Sequence, residues 1–173
     1  MLTIEPFLLK IFDGKPDLTV DVVPAKSIIF GGPQPAGMAQ ESSLVTFTVH
    51  NELLFLPGPL KPEEPNVIPA FGSDVAQVVL RVSLAPAFTQ IGGISLPAGF
   101  SATITPSHQL IFFYGGPISA GGSADFVIEV IGRYNNRGRD EYIWAKVDPR
   151  NRIAETDKTN NVGFAKIWVW SIS

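Results

Sequence analysis

The residues with the greatest potential for chemistry lie in one acidic, asparagine-rich segment near the C-terminus. This segment reads DPRNRIAETDKTNN. Its side-chain oxygens belong to Asp148, Asn151, Glu155, Asp157, Asn160 and Asn161. Carboxylate and amide oxygens are the ligands that Ca²⁺ prefers, although the spacing does not match an EF-hand loop. The alternative is structural, because Asn and Asp side chains commonly bond nearby backbone groups and fix the shape of a loop.

We favour the structural hypothesis for this loop and keep a calcium site as the weaker alternative. The structural hypothesis predicts that Asn160 and Asn161 bond backbone groups near the base of the loop. The calcium alternative would use Asp148, Glu155 and Asp157 as carboxylate ligands. The chain has no cysteine, which excludes a thiolate metal site. No cofactor is predicted.

The two histidines do not form part of a recognisable catalytic arrangement. His50 stands at the end of a predicted strand, and His108 follows Pro106 and Ser107 in a turn. A Ser-His-Asp enzyme needs its histidine beside an acid and a nucleophile, and the sequence has no G-x-S-x-G elbow. The glycine pairs at 115–116 and 121–122 lack the following helix that phosphate-binding loops require. The sequence therefore predicts a protein that is not an enzyme.

The composition indicates one globular domain without the charge of a nucleic-acid-binding protein. The chain has 173 residues, of which 45% are hydrophobic, enough for a real core. Its net charge of −3 argues against a nucleic-acid partner. No stretch is long and apolar enough for membrane insertion. The first residues lack the basic region of a signal peptide, so we expect synthesis in the cytoplasm without a signal peptide.

Two strands flank the acidic loop and show the period of two that is typical of a half-buried sheet. The predicted inward residues are Ile143, Ala145, Val147, Ile167 and Val169. Asp148 and Pro149 end the first strand, because proline cannot donate to a ladder. The connection before that strand, RYNNRGR at 133–139, is typical of a hairpin loop.

The order V-D-P, then N-x-I-x-E, then D-x-x-N-N in this region resembles the CARDB family of adhesion-type modules from bacteria and archaea. The segment KPDLTVDVVP, Lys15 to Pro24, resembles the start of the same family. LPAGF at 96–100 and AGGSADF at 120–126 resemble immunoglobulin-like modules of bacterial surface repeats. These resemblances imply an all-β, immunoglobulin-like antiparallel β-sandwich of about seven to nine strands. They also imply a module without catalytic machinery.

Two segments extend beyond the elements of this predicted sandwich, which spans residues 15–173. Residues 1–14 are expected to form an apolar N-terminal extension. Residues 51–74 contain five prolines interleaved with apolar side chains, including Phe55 and Phe71. Compact domains rarely carry such long structureless connections without a task. This proline-rich segment is either a loop folded over its own sandwich or an arm that reaches a neighbouring subunit.

The same pleat places four large aromatic residues on the outside of the sheet. They are Tyr142, Trp144, Trp168 and Trp170. Because the two strands pair, these side chains are expected to lie next to one another. An open patch of this size exceeds what monomers usually tolerate. We therefore expect the N-terminal extension, the proline-rich segment or another subunit to cover it, with a carbohydrate-binding surface as a weaker alternative.

These observations favour a structural or assembly protein that acts through protein–protein contacts. Its expected partners are other protein subunits, including further copies of itself in a homo-oligomer. One setting is the virion surface, where it would be a decoration protein of a phage or virus capsid. The alternative is a CARDB-type adhesion or ligand-binding module at the cell surface. The predicted interface residues are Tyr142, Trp144, Trp168, Trp170, Phe55 and Phe71.

Overall fold

Two β-sheets face each other in the computed structural model, which describes residues 14–32, 40–55, 70–88, 90–132 and 138–170. At residues 54, 55, 70 and 71 it describes the backbone. The strands in chain order are β1 (Leu18–Pro24), β2 (Ile28–Phe30), β3 (Ser42–Asn51), β4 (Leu54–Phe55), β5 (Ala70–Phe71), β6 (Val78–Leu84), β7 (Gln90–Ser95), β8 (Phe100–Ile104), β9 (Leu110–Gly115), β10 (Ser123–Ile131), β11 (Arg139–Val147) and β12 (Val162–Trp170). One 3₁₀ turn, Pro86–Phe88, lies between β6 and β7.

The four-stranded sheet has the order β1-β3-β10-β7, and the six-stranded sheet has the order β2-β12-β11-β6-β9-β8. Strand pairs are antiparallel except that β2 runs parallel to β12. The expected all-β, immunoglobulin-like sandwich is confirmed, but its two sheets hold ten strands instead of about seven to nine. Short edge strands account for the difference. The three residues of β2 are too few to show a period in the sequence.

Alternate side chains from both sheets fill the space between them. Phe47 and Phe126 of the four-stranded sheet and Phe113 of the six-stranded sheet are fully buried. The rings of Phe113 and Phe126 lie 5.1 Å apart across the two layers. The inward residues predicted for the last two strands are all buried, namely Ile143, Ala145, Val147, Ile167 and Val169. The predicted pleat of these strands is therefore confirmed.

At one edge of the sandwich, β1 packs closely against β12 of the opposite sheet. Gly163 lies opposite Ala145 in the β11–β12 ladder. A Cβ atom on Gly163 would lie 2.3 Å from the backbone oxygen of Val20. Glycine is required here because any side chain would push the two sheets apart.

The chain passes from one layer to the other between β10 and β11. β10 belongs to the four-stranded sheet and β11 to the six-stranded sheet. The hairpin predicted for residues 133–139 is therefore wrong. Turn-forming residues occur both in hairpins within one sheet and in connections between two sheets, so the local sequence does not distinguish these alternatives. Residues 133–137 themselves lie outside the described ranges.

The proline-rich segment contains two short strands, β4 and β5. β4 and β5 pair antiparallel, with Leu54 opposite Phe71 and Phe55 opposite Ala70. Asn51, the first residue of the predicted loop, is the last residue of β3. Residues 56–69 and 1–13 lie outside the described ranges, so the roles predicted for them remain predictions. In the part of the chain that is described, no helix is long and apolar enough to span a membrane.

Candidate binding face

The outer surface of the six-stranded sheet carries the predicted aromatic residues. Residues directly opposite each other on paired strands share one side of a sheet. In the β11–β12 ladder, Trp144 lies opposite Phe164 and Tyr142 lies opposite Lys166. These side chains alternate with the buried ones, so they point away from the core.

Tyr142, Trp144 and Phe164 form an aromatic cluster on this surface. The ring centroids of Trp144 and Phe164 are 4.8 Å apart, at an interplanar angle of 33°. The Tyr142 ring lies 6.4 Å from Trp144 and 6.3 Å from Phe164. The exposed fractions are 42% for Tyr142, 46% for Trp144 and 56% for Phe164. The three rings therefore contact one another and still leave about half of their surface open.

Trp168 and Trp170 lie farther along β12 and do not join this cluster. Trp168 is opposite Asp140 and remains 41% exposed. A Cβ atom on Gly138 would lie 3.1 Å from the indole of Trp168, so this ring packs on a position without a side chain. Trp170 is only partly exposed, because its ring meets that of buried Phe30 edge-on at 4.9 Å. The predicted set of four is thus divided into two groups by the strand register.

Phe164 is a member of the exposed aromatic cluster that the sequence prediction missed. Counting back from Trp168 in steps of two reaches Phe164, so the period of the strand contained the signal. The prediction followed the alternation only from Ile167 onward. The side chains of Phe55 and Phe71 lie outside what the structure describes, and their role at an interface remains a prediction.

The cations on this face differ in whether they have a partner. Lys166 binds Asp140 at 3.0 Å. The hydrogen bond to Asp140, together with its negative charge, raises the pKa of Lys166. Arg81 of β6 lies directly opposite Lys146 of β11. A shallow groove of about 250 Å³ runs beside these two cations, and its lining includes Trp144 and Val162.

A larger groove of about 340 Å³ adjoins this surface where the acidic loop leaves β11. Its apolar lining comprises Val79, Phe112, Tyr114, Pro149 and Ile153, and its polar lining comprises Gln77, Asp148, Arg150 and Arg152. Phe112 and Tyr114 flank buried Phe113, so the period of two would have placed them outward as well. The sequence prediction did not single them out.

Asp148 shapes the start of the acidic loop. Its carboxylate is buried and accepts hydrogen bonds from the backbone N–H groups of Arg152 and Ile153, each at 2.9 Å. Asp148 and Asn151 have φ values of 43° and 51°, the left-handed region that Asn and Asp adopt more readily than most residues. Both residues therefore hold the turn that directs Arg150 and Arg152 toward the larger groove.

Glu155 and the two asparagines connect the acidic loop to both sheets. Glu155 accepts hydrogen bonds from the Leu18 backbone N–H at 3.2 Å and from the Asn161 side chain at 2.9 and 3.0 Å. Asn160 donates to the carboxylate of Asp17 at 2.9 Å. The expected backbone acceptors for these amide groups are thus replaced by carboxylates. Burial raises the pKa of Glu155, although the bonds from Asn161 and Leu18 oppose that shift.

The remaining carboxylate of the proposed calcium site, Asp157, makes a local turn. It accepts hydrogen bonds from both the backbone N–H and the hydroxyl of Thr159 at 2.7 Å, and these bonds lower its pKa. Among the described residues, no group of three or more His, Cys, Asp or Glu side chains is placed to hold one metal ion. The carboxylates of Asp148, Glu155 and Asp157 each serve a separate part of the loop.

The two histidines lie in separate places on the surface. His50 is on β3, and its ring nitrogen lies 3.3 Å from the carboxylate of Asp21 on the outer side of the four-stranded sheet. His108 is exposed in the turn between β8 and β9, where its φ is 55°. The structure brings neither histidine to the aromatic cluster.

Comparison with protein-family models gives no match, and comparison with curated protein sequences gives none either. Solved structures do match. A solution structure of a CARDB domain from Pyrococcus furiosus aligns with 90% of this chain and 95% of its own at 14% identity, with a TM-score of 0.50. A crystal structure of that domain, described as a complex with di-metal ions, gives 16% identity, coverage of 91% and 96%, and a TM-score of 0.49. The resemblance to the CARDB domain is thereby confirmed for the fold.

A cohesin module from Clostridium perfringens also matches, at 6% identity and a TM-score of 0.49, with 91% of this chain and 98% of that one covered. Identities this low leave function to be argued from the residues of the site.

Proposed function

We propose that this chain is a non-enzymatic assembly module that binds other protein subunits through the outer face of its six-stranded sheet. The aromatic cluster is the observation that carries the proposal. Tyr142, Trp144 and Phe164 are between 42% and 56% exposed and lie on regular strands, where the fold itself needs no aromatic side chains. Large rings held rigidly on strands are typical anchors of protein interfaces.

Covering the cluster would contribute a large favourable term to association. Covering the open parts of its three rings would remove on the order of 300 Å² of surface from water, worth about 7 kcal/mol at 25 cal/mol per Å². Part of this gain is offset by the loss of rotational and translational freedom on binding. Further contacts on this face, including those at Trp168 and in the two grooves, would add to the favourable free energy of binding.

Two biological settings follow from the sequence. The proline-rich segment supports a decoration protein on a phage or virus capsid, since an extended arm is suited to reach a neighbouring subunit. The resemblance to CARDB modules supports the alternative, an adhesion or ligand-binding module at a cell surface. In both settings the aromatic cluster is the contact surface that we propose.

A double substitution tests the proposal. Trp144→Ser with Phe164→Ser removes the centre of the cluster and should leave the inward packing intact. Leu44→Ser with Val23→Ser is the matched control, because both residues are exposed on the outer face of the four-stranded sheet. Urea unfolding should establish that both double variants remain folded.

Binding is then measured in two stages. Light scattering across a range of concentrations shows whether the chain associates with itself. A partner captured from its own source is identified, purified and titrated against each variant. We expect the cluster variant to lose association about a hundredfold and the control to retain it. Equal affinity of the cluster variant and the unmodified chain would refute the proposal, and the partner's identity decides between capsid and cell surface.

A further inference from the structure

Four cations on the outer face of the six-stranded sheet or in the acidic loop beside it have no carboxylate partner among the described residues. They are Arg81, Lys146, Arg150 and Arg152, and the ion pairs of the described residues involve other side chains. Arg81 and Lys146 lie directly opposite each other on neighbouring strands. Like charges in that relation destabilise a sheet. A negative group bound between them would remove the repulsion.

Apolar side chains flank this pair of cations on both sides. Phe112 of β9 lies opposite Arg81, and Val162 of β12 lies opposite Lys146. Phe112, Arg81, Lys146 and Val162 therefore form one transverse row across four neighbouring strands. With strands about 4.8 Å apart, the row is about 14 Å long. The larger groove lies at its Phe112 end. The groove beside Trp144 extends along the row from Arg81 and Lys146 to Val162.

An extended peptide has matching dimensions. Residues i, i+2 and i+4 of an extended chain face the same side and span about 13 Å. An apolar residue at i, an acidic one at i+2 and an apolar one at i+4 would place a carboxylate at the centre of the row. The two apolar side chains would then reach the two grooves.

We propose that this row binds an extended acidic segment of a partner protein, with the pattern apolar–x–Asp/Glu–x–apolar, whose carboxylate lies between Arg81 and Lys146. This inference rests on the proposed function and specifies the chemistry of the partner. Two cations recognise the carboxylate, and the aromatic lining of Phe112, Tyr114 and Trp144 takes the apolar side chains. Arg150 and Arg152 at the larger groove favour further acidic residues toward that end of the segment.

The probe is the synthetic peptide acetyl-GGLTETLGG-amide, titrated against the full chain while the indole N–H signals are followed by NMR. A second peptide with Gln in place of Glu tests the carboxylate. The protein variant is Arg81→Gln with Lys146→Gln. The control, Lys26→Gln with Lys158→Gln, removes the same charge from positions outside the row. We expect the Gln peptide and the Arg81/Lys146 variant each to weaken binding about five- to tenfold, and the control to change it less than about twofold.

A purely structural role for these cations predicts a different result. Removing the like-charge pair should leave the unfolding midpoint of the Arg81/Lys146 variant equal to or above that of the unmodified chain. A lowered midpoint with unchanged peptide affinity would overturn the proposal. Absence of any signal shift up to about 2 mM peptide would overturn it too.

Other occupants give distinguishable results. Tighter binding of a galacturonate trisaccharide than of the peptide would replace the protein segment by an anionic sugar and overturn the proposal. Self-association that depends on Arg81 and Lys146, without peptide binding, would do the same in favour of a second copy. If the Trp144/Phe164 variant loses its partner and the Arg81/Lys146 variant does not, the proposed function stands and this inference fails.

Discussion

The two outer faces of the sandwich are built from strands with the same alternation, yet they present different surfaces. The four-stranded sheet presents mainly polar and acidic side chains, among them Thr19, Asp21, Thr46, Thr48, His50 and Asp125. Its exposed apolar residues include Val23 and Leu44, and the described part of this face has no exposed aromatic ring. The six-stranded sheet presents aromatic and cationic ones, among them Phe112, Tyr114, Tyr142, Trp144, Phe164, Arg81 and Lys146. Both sheets contribute apolar side chains to the core between them.

The difference teaches that folding constrains the inner positions of these strands and leaves the outer ones free. A sandwich needs apolar side chains only where its two sheets meet. On the polar face, His50 lies beside Asp21 at 3.3 Å. On the aromatic face, Arg81 and Lys146 face each other. Aromatic rings and unmatched cations on an outer face therefore indicate a requirement other than folding, and binding a partner is the one we propose.

The largest effect on the free energy of unfolding should come from substituting the inner residue of a pair of neighbours on β11. Ile143→Ser should lower the free energy of unfolding by about 4 kcal/mol, since its side chain is fully buried. Tyr142→Ser, one residue away on the aromatic face, should lower it by less than about 1 kcal/mol. Urea titration measures both. A cost for Tyr142→Ser as large as that for Ile143→Ser would make the aromatic cluster part of the fold and end the contrast between the faces.

A smaller loss should follow from changing the loop that joins the two aromatic-face strands. Asn160→Ala with Asn161→Ala removes the amide groups that donate hydrogen bonds to Asp17 and Glu155. The double variant should lower the free energy of unfolding by about 1–3 kcal/mol. Lys158→Ala is the control, because its bond to the Asn151 carbonyl is exposed. A rise in the melting temperature with sub-millimolar calcium would instead make this loop a metal site.

The pH dependence of stability should reveal the buried carboxyl group that links the two sheets. Glu155 holds the backbone of β1 at Leu18, and its pKa is raised above the ordinary 4.5. A raised pKa means that the folded chain binds the Glu155 proton more tightly than the unfolded chain does. Protonated Glu155 therefore adds to the free energy of unfolding below pH 4.5, and this stabilisation is lost as the pH rises through and above that value. The free energy of unfolding of Glu155→Gln should not show this loss when both proteins are measured at each pH. The same slope in both proteins would contradict the assignment.

The smallest effect is spectroscopic and distinguishes what covers the aromatic face. Trp144 and Trp168 are 46% and 41% exposed, so the emission of the isolated chain should be red-shifted and should move to the blue on binding. Trp144→Phe should reduce that movement. Deletion of residues 1–12 tests the predicted N-terminal cover, and a further red shift would show that this segment shields the rings. A blue emission maximum that no partner alters would contradict the binding face.

The strand period in the sequence was sufficient for much of this picture. Alternation separates inner from outer residues along a strand, because successive side chains point to opposite sides. It therefore placed Ile143 and Ile167 in the core and Tyr142 and Trp144 outside. The resemblance to CARDB modules predicted the sandwich architecture, because short motifs in the same order along the chain were enough to indicate it.

Strand pairing decided which outward residues lie next to one another, because register and strand neighbours depend on contacts between distant parts of the chain. Alternation does not say which outer residues meet, so it could not separate Trp168 and Trp170 from Trp144 or bring Phe164 to it. Nor could it place Phe112, Arg81, Lys146 and Val162, which come from four strands, in one transverse row. The sequence alone determined which side of each strand faces water, whereas only the tertiary structure determined which of those residues act together, because interstrand hydrogen bonds fix the register.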